Sequence, residues 1–128
     1  VLGGNKVRDF QAVQMRVGRA IGNLKASKAM LFAQIEESRA KVIDRGEILS
    51  VQDRLDNRLT QAKTVELAVD GLDELFGAVG GHGINTSQHV QRAWRDAHAI
   101  AHHISFNWDA ISCMYGQHAL GLEPQGQF

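Results

Sequence analysis

Residues 50–83 read SVQDRLDNRLTQAKTVELAVDGLDELFGAVGGHG, and the spacing inside this stretch decides the fold class. Val51, Leu55, Leu59, Ala62, Val65, Val69, Leu72, Phe76 and Val79 recur at steps of three or four, the repeat of one buried helical face. Ser50, with Asp53 three residues on, forms a capping pair at its start. Gly77, Gly80, Gly81 and Gly83 give the backbone the freedom to stop the helix and turn sharply. One long helix from Val51 to Val79 is therefore expected.

Working outward, the N-terminal side carries a second stripe: Phe10, Val13, Val17, Ala20, Leu24, Ser27, Leu31, Ile35 and Val42 predict a helix from Arg8 to Ile43. Met15, Ile21, Met30 and Phe32 lie off that stripe, so this helix is expected to meet neighbours on two sides. Asp44, Arg45 and Gly46 end it, Gly46 supplying the left-handed stop. On the C-terminal side, Val90, Trp94, Ala97, Ala101 and Ile104 predict a third helix over Ser87 to His103. Trp108, Ile111 and Tyr115 predict a fourth over Asn107 to Leu120, followed by a tail from Gly121 to Phe128. With no strand alternation and Pro124 the only proline, the fold expected is an all-α antiparallel helical bundle in a single domain.

Composition narrows the function. The 128 residues carry 14 Lys+Arg against 14 Asp+Glu, and a net charge of zero lacks the field that a nucleic-acid or anionic-membrane binder uses. No apolar run reaches the roughly 18 residues of a membrane helix. Cys113 stands alone, which excludes a disulfide framework and fits a reducing compartment, the cytoplasm by default. The chain starts at Val1 and enters a helical pattern almost at once, as a piece of a longer protein would.

All six histidines fall between His82 and His118, so any chemistry is C-terminal. His98 and His102 are four apart on one helical face, a spacing that suits a shared metal. No Glu lies between Glu74 and Glu123 to complete a carboxylate-bridged site, so no metal is assigned. His102 and His103 point about 100° apart around a helix, which sets them to different surroundings. Gly80, Gly81 and Gly83 follow no strand and so are not a dinucleotide fingerprint. They read as a helix cap, or as bare backbone able to approach an anionic group. Arg92, Arg95 and Asp96 read as a solvated ion-pair face, and Cys113 as a small buried hydrophobe.

The run Val79-Gly80-Gly81-His82-Gly83-Ile84-Asn85-Thr86, with Val90 and Arg95-Asp96-Ala97, resembles the C-terminal helical domain of the acyl-CoA dehydrogenase superfamily. Asp9-Phe10-Gln11-Ala12 resembles the entry into that domain's second helix, so the likeness covers nearly the whole chain. It implies that an N-terminal helical domain, a middle β domain and the first bundle helix precede this fragment. With domains of ordinary size the parent chain is about 400 residues long. By the same resemblance Gly80, Gly81 and Gly83 lie near the pyrophosphate of a flavin bound by a neighbouring subunit. The family's flavin-contacting glutamine falls at Gly77, so that contact is missing. The glutamate base of many members falls at Ile104, which cannot take a proton.

Within the superfamily, Gln91-Arg92-Ala93-Trp94-Arg95-Asp96-Ala97-His98, followed by His102-His103 and a short last helix, is similar to the two-component flavin-dependent monooxygenases. That branch includes oxygenases of hydroxyphenylacetate, of a phenolic steroid intermediate and of dibenzothiophene. The resemblance implies a homotetramer that receives reduced flavin, FMN or FAD, from a separate reductase. It implies oxygen transfer from a flavin C4a-hydroperoxide to a small aromatic or phenolic substrate. Register puts the flavin-proximal histidine at His103, with His102 as the alternate, and an imidazole suits the proton traffic of such a reaction. His103 is then expected in a cleft beside the glycine bend. Two other readings stand: an acyl-CoA dehydrogenase with its base on a helix outside this chain, and a non-catalytic helical assembly module.

Overall fold

A reversal at Gly46 sets the topology. A computed structural model describes residues 6–128. Helix α1 (Gln11–Arg39) is led in by a 3-10 turn at Val7–Asp9 and runs out through a π-helical turn at Ala40–Asp44. Gly46 (φ +66°) then takes the left-handed conformation that glycine adopts without strain, and the chain returns as α2 (Val51–Val79). Each of these helices has 29 residues and is about 44 Å long at 1.5 Å per residue. The stripe predicted for α2 is the face it uses, whereas on α1 Val13, Val17, Ala20, Ser27 and Leu31 turn inward and Phe10, Leu24, Ile35 and Val42 of the predicted stripe stay exposed.

The start of α2 is fixed by the capping pair read from sequence. Ser50 Oγ accepts from the Asp53 N–H at 3.1 Å, and the Asp53 carboxylate accepts from the Ser50 N–H at 2.9 Å. Lys41, from the turn after α1, also bonds Asp53, so the two long helices are pinned together at this end. The Lys41 ammonium, with the Ser50 donors, holds the Asp53 carboxyl down at about 2.

Between the long helices Ala20 is fully buried, and the buried Ser27 hydroxyl donates to the Thr64 carbonyl at 3.0 Å. Gly71 allows a close approach of the two helices: a Cβ there would come within 3.3 Å of the Ala20 carbonyl oxygen. On its other side α2 meets α3 (His89–Ala101) and α4 (Trp108–Ala119). Phe76 and Asp73 face Trp94, and Asp56 and Gln52 face Tyr115. As the numbers climb from 94 to 115 their partners on α2 fall from 76 to 52. Both short helices therefore run antiparallel to α2, one after the other along it. The bundle is three layers deep, α1, α2 and then α3 with α4. The last layer is interrupted over His102–Asn107, where a 3-10 turn at Ile104–Phe106 takes the place of continuous helix.

The principal core lies under α4, where Leu55, Ala62, Ile111 and Met114 are buried with Val51, Leu59, Trp108, Tyr115 and Phe128 against them. The segment after Gly121 (φ +76°) is more than a tail. It folds back, with the Gln125 N–H donating to the Gln117 side chain at 2.9 Å and Phe128 closing the core. Only one of the two sides expected of α1 is filled within the chain: Met15, Ile21 and Phe32 stand about half exposed. No helix among the described residues is long and apolar enough to cross a membrane.

Candidate functional site

The glycines after α2 form a 3-10 turn, Gly80–Ile84, whose backbone is open on one side. Gly80 caps α2 at φ +62°, ψ −150°, a conformation closed to residues with a side chain, and a Cβ at Gly80 or Gly81 would meet nothing within 4 Å. Gly83, by contrast, is buried against Phe76 and Val79. Asn85 then turns the chain into α3, its side-chain oxygen accepting from the N–H and hydroxyl of Ser87 at 3.1 and 3.0 Å. At Gly77 the guanidinium of Arg16 lies where a side chain would sit, held by Glu74 at 3.3 Å with Arg19 also near that carboxylate. Arg16 thus fills the space that a larger residue at 77 would need.

Helix α3 is docked by one acidic residue. Asp73 accepts from Trp94 Nε1 at 2.5 Å and from His98 Nε2 at 2.8 Å, while the indole stacks on Phe76 at 4.9 Å between centroids. An ionised carboxylate only accepts, so His98 carries a proton on Nε2. His98 Nε2 is thus engaged by Asp73, and one nitrogen of its same-face neighbour, His102 Nδ1, bonds the His98 carbonyl at 2.7 Å. No group of three or more His, Cys, Asp and Glu is poised for a metal among the described residues. Arg92 and Asp96 form the exposed pair expected of them, at 3.5 Å.

Beyond Ala101 the helix ends, and this changes how the two neighbouring histidines sit. A continuing helix would send them to different surroundings. In the interruption both line one open recess of about 620 Å³ with Ala99, Ile100, Ser105 and Phe106. Their ring nitrogens are set oppositely. His102 donates from Nδ1 to a carbonyl, so its neutral form leaves the Nε2 lone pair free. His103 Nδ1 accepts from the Ser105 N–H at 3.1 Å, so its neutral form carries the proton on Nε2. One recess thereby offers an acceptor and a donor. Among the described residues its lining has no carboxylate, and Ile104 beside it is largely exposed.

The recess is not beside the glycine bend. The turn precedes α3 and the histidines follow it, so the 13 residues of that helix, about 20 Å, separate them. His103 is exposed in the chain alone, and the single cleft expected from sequence is instead two surfaces at opposite ends of α3. Cys113 is also a correction. It is exposed, because the buried positions of α4 are Ile111 and Met114 and residue 113 falls on the flank. Sequence reasoning passed over Asp73 and Arg58. Arg58 had a readable signal, a charge three residues after Leu55 and four before Ala62 on the apolar stripe of α2.

The family described as acyl-CoA dehydrogenase, C-terminal domain, matches residues 1–108. The chain belongs to that family. Among relatives of this acyl-CoA dehydrogenase-like domain, the oxygenase component of the FADH(2)-dependent resorcinol hydroxylase of Rhizobium sp. is 40% identical over 98% of this chain and 32% of its own length. The pigment production hydroxylase of Rhodococcus erythropolis is 28% identical over 96% of the chain and 31% of its own length. The crystal structure of 3-HSA hydroxylase from Rhodococcus sp. RHA1 superposes with a TM-score of 0.87 at 25% identity, covering 98% of this chain and 32% of that one. The domain thus spans about a third of the length of the proteins it resembles.

Proposed function

We propose that this domain is the flavin-facing helical part of the oxygenase component of a two-component monooxygenase, which hydroxylates a small phenolic or aromatic compound. The observation that carries the reading is the pair of oppositely set imidazoles in one partly apolar recess, in a domain whose relatives include a resorcinol hydroxylase. The parent chain of about 400 residues contributes the remaining domains. A separate reductase delivers the reduced flavin, FMN or FAD, and the cytoplasm is the compartment.

The residues present fit such a cofactor at both ends of α3. Gly80 and Gly81 leave backbone uncovered, as an approaching pyrophosphate requires, and the recess at His103 has the volume and apolar lining for a ring system. The separation of the two surfaces supports a site completed by a second subunit, the glycine bend serving one flavin and His103 another. Exposed Met15, Ile21 and Phe32, on the same helix as Gly18 and Gly22 with open space above them, support assembly into a homotetramer through α1.

When bound, the reduced flavin supplies two electrons and carries the oxygen atom to be transferred. The chain's own residues manage protons and water. His103 holds a proton at Nε2, oriented by the Ser105 N–H, and donates it toward the cofactor. His102 Nε2 is free to accept the proton of a phenol, which makes the ring a better nucleophile. Ile100 and Phe106 exclude water once the recess is covered. The experiment is an anaerobic titration of the intact protein with reduced FMN and with reduced FAD, followed by exposure to oxygen and a phenol. Binding of reduced flavin in preference to oxidised flavin, and hydroxylated product, are expected. Failure to bind either reduced flavin overturns the reading, as does reduction of a tightly held FAD by an acyl-CoA.

A further inference from the structure

A second recess, also of about 620 Å³, opens on the other side of the Ile104–Ser105 turn, between α2, α4 and the folded-back segment ending at Phe128. Its apolar walls include Ile104, Met114 and Phe128, and Gln125 and Gln127 stand at its margin. Arg58 reaches into it from α2. Arg58 is partly buried, and its Nε is closed off from solvent with no hydrogen-bond partner. Among the described residues, no carboxylate lies within ion-pair distance of its guanidinium. Its neighbours are differently placed. Arg54, one turn earlier, lies over the Phe128 ring at 5.3 Å, and Lys63 lies over Trp108.

The closed-off Nε cannot itself meet a ligand, but the Nη groups of the same guanidinium also lack a hydrogen-bond partner among the described residues and are not shut away from solvent. The fork of a guanidinium matches a planar two-oxygen anion, and the volume falls in the range of small-molecule sites. Aromatic and thioether walls favour a flat ring. We infer that this recess binds a one-ring or two-ring aromatic carboxylate, its two oxygens on Arg58 and its ring between Ile104, Met114 and Phe128. Ser105 lines both recesses, so a ligand held here abuts the turn that carries His103. That Arg58 thereby positions the compound to be oxidised rests on the function proposed above. The binding itself does not.

Calorimetric titration of the intact protein without flavin tests the inference, using 4-hydroxybenzoate and its neutral isostere 4-hydroxybenzamide. The wild type is expected to prefer the acid. Arg58→Met is expected to weaken the acid by about 10- to 100-fold, the loss typical of a charge-assisted pair, and to leave the amide unchanged. Arg58→Lys, which keeps the charge and loses the fork, falls between. If Arg58→Met does not melt cooperatively, Arg58→Gln carries the same comparison. Equal affinity for acid and amide in the wild type overturns the inference, as does an equal loss of both probes in the variants. A third arm titrates FMN: a parallel loss of FMN binding in Arg58→Met would assign the recess to the flavin and overturn the small-anion reading. Because no arm needs turnover, these outcomes stay separate from the fate of the monooxygenase proposal.

Discussion

Replacing Asp73 by alanine should loosen α3 alone. That helix has no fully buried side chain, and it is held to α2 by the stacking of Trp94 on Phe76 and by the two hydrogen bonds that Asp73 accepts. Shielded hydrogen bonds to a charged acceptor contribute about 1.5–3 kcal/mol each. Here the Asp73 side chain is 47% exposed and that of His98 33%, so water recovers most of the loss, as at other exposed ion pairs. A combined cost of about 1–2 kcal/mol remains, which corresponds to a 5- to 30-fold rise in the opening equilibrium. Amide hydrogen exchange of the 128-residue chain, resolved by peptide, reads this directly: amides over 89–101 should exchange faster by about that factor. Those over 20–35 and 55–70 should change much less. Trp94→Phe keeps the stacking and loses one donor, so it should give about half the effect in energy. Unchanged exchange over α3, or an equal rise throughout the chain, would refute the argument that Asp73 clamps this helix.

Leu55→Ala removes a side chain that is 1% exposed at the centre of the α2 and α4 core and should cost about 2–5 kcal/mol by urea denaturation. Gly80→Ala should cost about 1–3 kcal/mol although its Cβ would touch nothing, since the strain lies in the backbone; an unshifted Tm would contradict this. Asp53 has its pKa depressed to about 2 by Lys41 and Ser50, so its stabilising effect is present above the ordinary carboxylate range. That effect fades as pH falls from about 4 through about 2, and Asp53→Asn should flatten this limb of the acid unfolding curve.

The sequence exposed what periodicity and turn chemistry encode. Ser50 with Asp53, Gly46 and the glycines after Val79 punctuate the helices where the chain turns, because each meets a local requirement of cap or backbone. Periodicity could not say that α3 and α4 share one layer along α2, since that depends on which faces of α2 remain after α1 is docked. Nor could it say that the helix would stop at Ala101 and bring His102 and His103 into one recess. The 100° offset that should have parted them holds only inside a continuous helix. Cys113 was misread because a helix as short as α4 has flanks that a stripe of three apolar residues does not define. The 20 Å between glycine bend and histidines was implicit in the length of α3, but the motif reading treated both as parts of one cleft.

The most direct test of the proposed chemistry is product formation by intact protein carrying His103→Ala, supplied with reduced flavin, oxygen and a phenol. Loss of a proton-transfer group predicts hydroxylation slower by about 100-fold or more, with reduced-flavin affinity retained. Hydroxylation at the wild-type rate would remove His103 from the reaction.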